Sequence, residues 1–135
     1  MSSVASKLCL ILVDNVGLGH QVATLLKQSD WQTHVVYRDY EAYGLILRGE
    51  AFGVVADIDA PNLGGLAVLA YCHHHYPSIV TYAITESEGN ETGKLAQQVA
   101  GCKGYFYLGD DNLQIDTGRG MAAELLTLKS RTAQA

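Results

Sequence analysis

Short apolar runs alternate along the chain with segments whose apolar positions recur every three or four residues. The first run, Leu8-Cys9-Leu10-Ile11-Leu12-Val13, is apolar throughout, as a strand buried on both faces should be. Behind it Val16, Leu18, Val22, Leu25 and Leu26 fall on one face of a helix ending near Ser29-Asp30. Thr33 to Tyr37 predicts a second strand. Asp39 is placed to cap a helix that buries Ala42, Leu45 and Ile46, and Gly49 to stop it. Phe52 to Ala56 predicts the third strand. Pro61-Asn62-Leu63-Gly64-Gly65 is a loop opening on a helix with Leu66, Leu69 and Ala70 inward and Pro77 as its stop. Ile79 to Ile84 predicts the fourth strand, followed by a polar loop and a helix with Leu95 and Val99 inward, ending at Gly101. Tyr105 to Leu108 predicts the fifth strand. Asp110 to Gly118 reads as a long solvated loop, and the last helix runs from Met121 to Lys129 with Met121, Leu125 and Leu128 on one face.

Strand followed by helix, five times over, calls for right-handed crossovers and a parallel sheet covered on both faces, an α/β sandwich of three layers. The 135 residues, 48% of them hydrophobic, suit one domain over 1–135 with its core in 7–129. A formal charge of −5 argues against direct binding to nucleic acid, which needs a basic face. Cys9, Cys72 and Cys102 form no metal or redox spacing and read as buried thiols in a reducing compartment. The apolar run at Leu8 to Val13 is too short to span a membrane and has no cleavage-site pattern behind it. The expected location is the cytoplasm.

In parallel sheets ligands sit outside the carboxyl ends of the strands, and three polar signals lie there: Asp14-Asn15, Asp57-Ile58-Asp59 and Thr85-Glu86-Ser87. If the first and third strands are neighbours, about 4.8 Å apart, their terminal carboxylates can share one cation. Hard oxygen donors of this kind suit Mg²⁺. His73-His74-His75 does not offer such a site, because adjacent helix positions point about 100° apart; it reads as a solvated helix end. Gly17-Leu18-Gly19 lacks the third glycine of a dinucleotide loop, which falls on Val22.

Taken together these markers resemble the receiver domain of two-component response regulators, over roughly Lys7 to Leu128. Gly53-Val54-Val55-Ala56-Asp57 with Pro61 four residues on looks like the phosphoacceptor strand and its loop. Ile11-Leu12-Val13-Asp14-Asn15 looks like the first strand with its acidic pair, Tyr82-Ala83-Ile84-Thr85 like the fourth strand with its switch hydroxyl, and Gly101 to Tyr105 like the approach to the switch aromatic. The resemblance implies a flavodoxin-like fold with a five-stranded parallel sheet in the order 2-1-3-4-5. It implies that Asp57 accepts a phosphoryl group from a phosphohistidine, that Thr85 and Tyr105 follow it as switch residues, and that Mg²⁺ is held by Asp14, Asn15, Asp57 and the carbonyl of Asp59.

The implied partners are a sensor histidine kinase or phosphotransfer protein, and a downstream protein on the face of the fourth helix, fifth strand and fifth helix. A homodimer is compatible with this, and neither nucleic acid nor a membrane is expected. The sequence departs from the family in three respects. Asn15 replaces an acid, Leu108 stands where the family has lysine with Gly109 in place of its proline, and Glu86 follows Thr85 where a small residue is usual. These departures leave open a pseudo-receiver that signals by contact without phosphorylation. A flavodoxin-like domain binding a small molecule or nucleotide near Gly17 to Gly19 is a further alternative. No nucleophile–base pair is visible, so an enzyme is not expected.

Overall fold

Five of the apolar runs become parallel strands of one sheet, and their pairing places Asp14, Asp57 and Thr85 at its carboxyl end. The computed structural model describes residues 7–28, 30–60, 62–85, 101–102, 104–109 and 112–115, the last two stretches as backbone. In chain order the elements are β1 (Leu8–Leu12), α1 (Val16–Lys27), β2 (Gln32–Val36), α2 (Asp39–Leu47), β3 (Gly53–Asp57), α3 (Gly65–His75), β4 (Val80–Thr85), β5 (Gly104–Gly109) and β6 (Asn112–Ile115). The sheet order is β2-β1-β3-β4-β5-β6. The first five strands are parallel, in the expected order.

The sixth strand was not expected. Asn112–Ile115 falls in the stretch predicted to be a loop, yet it folds back antiparallel on β5, Leu108 opposite Leu113 and Phe106 opposite Ile115. An edge strand presents a row of unpaired backbone groups, and β6 satisfies one side of β5 through a short hairpin. The predicted helices around Leu95–Val99 and Met121–Lys129 lie outside the described residues.

Alternation along the strands divides the core in two. Cys9, Ile11 and Val13 of the first strand and its extension pack with Leu18, Val22 and Leu26 of α1, together with Trp31, Val55, Tyr82 and Ile84. Leu10 and Leu12 face the other way, against Ala42, Leu45 and Ile46 of α2 and Val68, Leu69 and Cys72 of α3. Strands β3 and β4 are buried at every position, which is why Gly53 to Ala56 runs apolar without alternation, while Asp57, Thr81 and Thr85 are the polar residues buried in them.

Three local expectations need correction. On α1 the inward set is Leu18, Gly19, Val22, Ala23 and Leu26, whereas Val16 is exposed at the first turn. On α3 it is Gly65, Val68, Leu69 and Cys72, with Leu66 and Ala70 only partly buried against the core. Asp39 is the first residue of α2 and does not cap it; the cap position is Arg38, without a side-chain bond. Glu41 reaches back instead, and its Oε1 accepts the Tyr37 N–H at 3.2 Å, covering a main-chain donor just before the helix.

Gly49 ends α2 as expected. With φ +74 it lets the Gly49 N–H reach the Ile46 carbonyl and the Glu50 N–H the Leu45 carbonyl, a Schellman closure. Replacing it with alanine should lower the unfolding free energy by about 1 kcal/mol, because an L-residue is strained there. Gly44 is interior to the same helix, with nothing within 4 Å of an added Cβ, so Gly44→Ala should raise stability by about 0.5–1 kcal/mol. Denaturant titration of the two variants measures both.

Candidate functional site

Asp57 is the last residue of β3, paired in register with Ile84 of β4, and only 7% of it is exposed. One oxygen of its carboxylate, Oδ1, accepts the main-chain N–H of Asp59 at 2.9 Å. Helix α3 begins almost on top of it: a Cβ on Gly65 would collide with the Asp57 carbonyl. The glycine in the loop predicted before α3 is therefore a requirement of this close approach.

Burial pushes the Asp57 carboxyl above the usual carboxylate range, and the nearby charges of Asp59 and Asp14 push it further. Main-chain N–H groups of Asp59 and Ala60 pull the other way without winning. The influence of Asp14 means that the ends of β1 and β3 bring two carboxylates into one electrostatic neighbourhood. Asp14 is exposed and also lines a polar cleft of about 230 Å³ with Tyr37, Arg38, Asp39, Asn62 and Leu63.

Asn15 has a role that was not read from the sequence. It is the N-cap of α1, and its Oδ1 accepts the Leu18 N–H at 2.8 Å. Gly17 leaves room for this, since a Cβ there would stand 3.2 Å from Asn15 Oδ1. Gly19 is also accounted for by packing: a Cβ there would stand 2.9 Å from Val35 of β2. Cap clearance and helix–sheet contact explain both glycines without a nucleotide. The sequence signal for the cap was present, an asparagine immediately before a helix-period segment.

Thr85 closes β4 and is fully buried. Its hydroxyl donates to Asp59 Oδ2 at 3.0 Å, so the side chain of Asp59, expected to matter only through its carbonyl, bonds the candidate switch residue. Tyr105 lies in β5 opposite Ala83, and Leu108 in the part of β5 that pairs with β6; their side chains, and Glu86 altogether, fall outside the described residues. The three adjacent histidines are exposed at the end of α3, as expected.

Among the described residues no group of three or more His, Cys, Asp or Glu side chains is arranged to hold a metal. The donors that do gather are Asp14 and Asp57, all oxygen, with Asn15 already engaged by one lone pair. That set fits a partly hydrated Mg²⁺, which needs one or two carboxylates, and does not fit a cation caged by protein alone. Among the described residues no helix is long and apolar enough to cross a membrane.

Two measurements follow from this geometry. Asparagine keeps the acceptor for the Asp59 N–H, so Asp57→Asn removes a carboxylate that folding disfavours and should stabilise the protein at neutral pH. With the folded-state pKa raised, the penalty is fully present above that pKa and is relieved as pH falls from it toward the ordinary carboxylate value. The advantage of the variant should therefore shrink on acidification, as thermal unfolding across pH would record. At position 15, Asn15→Asp should keep the cap and tighten Mg²⁺ binding severalfold by its added charge, whereas Asn15→Ala should lose about 1 kcal/mol of stability. Calorimetric Mg²⁺ titration and denaturation separate these two effects.

No protein-family profile and no curated protein sequence matches the chain. Solved structures do. The chemotaxis response regulator CheY4 of Vibrio cholerae aligns at 13% identity and a TM-score of 0.65, covering 95% of this chain and 98% of that one. The signal receiver domain of an HD domain-containing protein from Pseudomonas fluorescens aligns at 18% identity and a TM-score of 0.67, covering 96% of each. The receiver domain of Ssk1 from Saccharomyces cerevisiae, solved with the histidine phosphotransfer protein Ypd1, gives 17% identity and a TM-score of 0.63 over 76% of this chain and 78% of that one. The chain thus has the fold of response regulator receiver domains.

Proposed function

We propose that this domain receives a phosphoryl group on Asp57 in a two-component phosphorelay, through an acceptor site that departs from the family at Asn15, Glu86 and Leu108. The observation that carries the reading is the Asp57 carboxylate itself: buried at the end of a central strand, beside Asp14, and one residue away from a contact with Thr85. A carboxylate of this kind is a competent nucleophile toward phosphorus when it is positioned and when the charge that builds on the phosphoryl oxygens is offset.

In the proposed transfer an Asp57 oxygen forms a bond to phosphorus as the phosphorus–nitrogen bond of a phosphohistidine breaks, and the imidazole leaves with its electron pair and takes up a proton. The Asp59 N–H holds the other end of the carboxylate in place. Mg²⁺ bound by Asp14, Asp57, the Asp59 carbonyl and the remaining lone pair of Asn15 would supply positive charge against the phosphoryl oxygens. Closeness of fold to a receiver crystallised with a phosphotransfer protein supports a donor of that type. The output would pass through the face that includes β5.

At the position where the family carries lysine, Leu108 offers no cation. A charge-assisted bond to a phosphoryl oxygen is worth about 1.5–3 kcal/mol, so the phosphorylated state should gain little over the free one. Acetyl phosphate with Mg²⁺, followed by intact-mass spectrometry, tests this directly. Wild type should be modified to a small extent and Asp57→Asn not at all. Leu108→Lys should raise the modified fraction about tenfold, the lower end of what that bond contributes. Modification of Asp57→Asn to the wild-type extent would sink the assignment of the acceptor.

A further inference from the structure

Asp57 and Thr85 are joined through a single residue. The main chain of Asp59 donates to the Asp57 carboxylate at 2.9 Å, while its own carboxylate accepts the Thr85 hydroxyl at 3.0 Å. The sheet sets this up. Beyond the last residue of β3, the Ile58 N–H donates to the Ile84 carbonyl at 3.1 Å, which carries the strand pairing one step further and brings Asp59 alongside Thr85. A threonine hydroxyl has one proton to donate. Given to Asp59, that proton is not available to a phosphoryl oxygen on Asp57.

We propose that the Asp59 carboxylate is a latch on Thr85. In the unmodified domain it fixes the hydroxyl in a resting position, and Thr85 engages a phosphoryl group on Asp57 only when that bond opens. This rests on the phosphoryl-receiving reading above and adds a regulator to the same site. Asp59 acts as a positioning residue through its side chain, a role separate from that of its carbonyl toward Mg²⁺. The latch biases a two-state element: an anion at Asp57 must favour the open arrangement by more than the Asp59–Thr85 bond favours the closed one.

Loss of the Asp59 carboxylate also removes a negative charge near the anion, so a gain in Asp59→Ala alone would not isolate the latch. A double-mutant cycle does. Wild type, Asp59→Ala, Thr85→Val and the double variant are compared, with Asp59→Asn as a variant that retains an acceptor of similar shape. In the unmodified proteins, denaturant unfolding should give a coupling between the two positions of about tenfold in the unfolding equilibrium, and the Thr85 methyl resonance should move in Asp59→Ala. Coupling indistinguishable from zero with an unmoved methyl resonance overturns the latch.

With Mg²⁺ and beryllofluoride as the probe, Asp59→Ala should raise affinity about tenfold when Thr85 is present and clearly less in the Thr85→Val background. Equal gains in both backgrounds are charge relief alone and also overturn it. If no variant binds beryllofluoride, the phosphoryl-receiving reading fails, while the coupling measured without ligand still decides whether Asp59 holds Thr85.

Discussion

The rest of the site depends on the cost of placing a carboxylate at the end of a strand that has no solvent-facing side. Strand β3 lies between β1 and β4 and is buried at every position, so Asp57 emerges from apolar packing and not from a surface turn. A buried carboxylate must find hydrogen bonds or give up its charge. Here the chain turns one residue further on, so that the main-chain N–H groups of Asp59 and Ala60 face the carboxylate. It then starts α3 so close that position 65 has no space for a side chain. The acids at 14 and 59 do not relieve the carboxylate; they raise its proton affinity further. A group held in this way is poised to respond to any cation or covalent partner that removes the repulsion.

Much of the architecture was legible because parallel strands covered on both faces must be apolar throughout, and Leu8 to Val13 and Gly53 to Ala56 are. The stop at Gly49 was legible for an equally local reason, the positive φ that closes a helix. Asn112–Ile115 was not, since four residues of mixed polarity carry no period and become a strand only by pairing with β5. Helix faces were read with small errors where Gly19 and Gly65, which no hydrophobic pattern marks, supply the closest contacts.

At the site, Asp14 and Asp57 could be seen to approach from their places at strand ends alone. The two uses that were missed differ in kind. The cap made by Asn15 is local and was overlooked because the residue was weighed only as a weakened metal ligand. The bond from Thr85 to Asp59 joins residues 26 apart in sequence and depends on how one backbone bond extends the β3–β4 ladder, which no residue pattern encodes.

The three cysteines lend themselves to a use separate from the site at the strand ends. Burial pushes all three thiols upward, Cys72 to about 11 and Cys102 to about 12, with Cys9 highest of all. A thiol in that condition has almost no thiolate at neutral pH and reacts only when the surrounding packing opens. Cys9 lies in the layer beneath α1, and Cys72 and Cys102 in the layer beneath α2 and α3. Alkylation of the native protein would therefore run as two clocks, one for each side of the sheet, and their rates would tell whether the layers open together or one before the other.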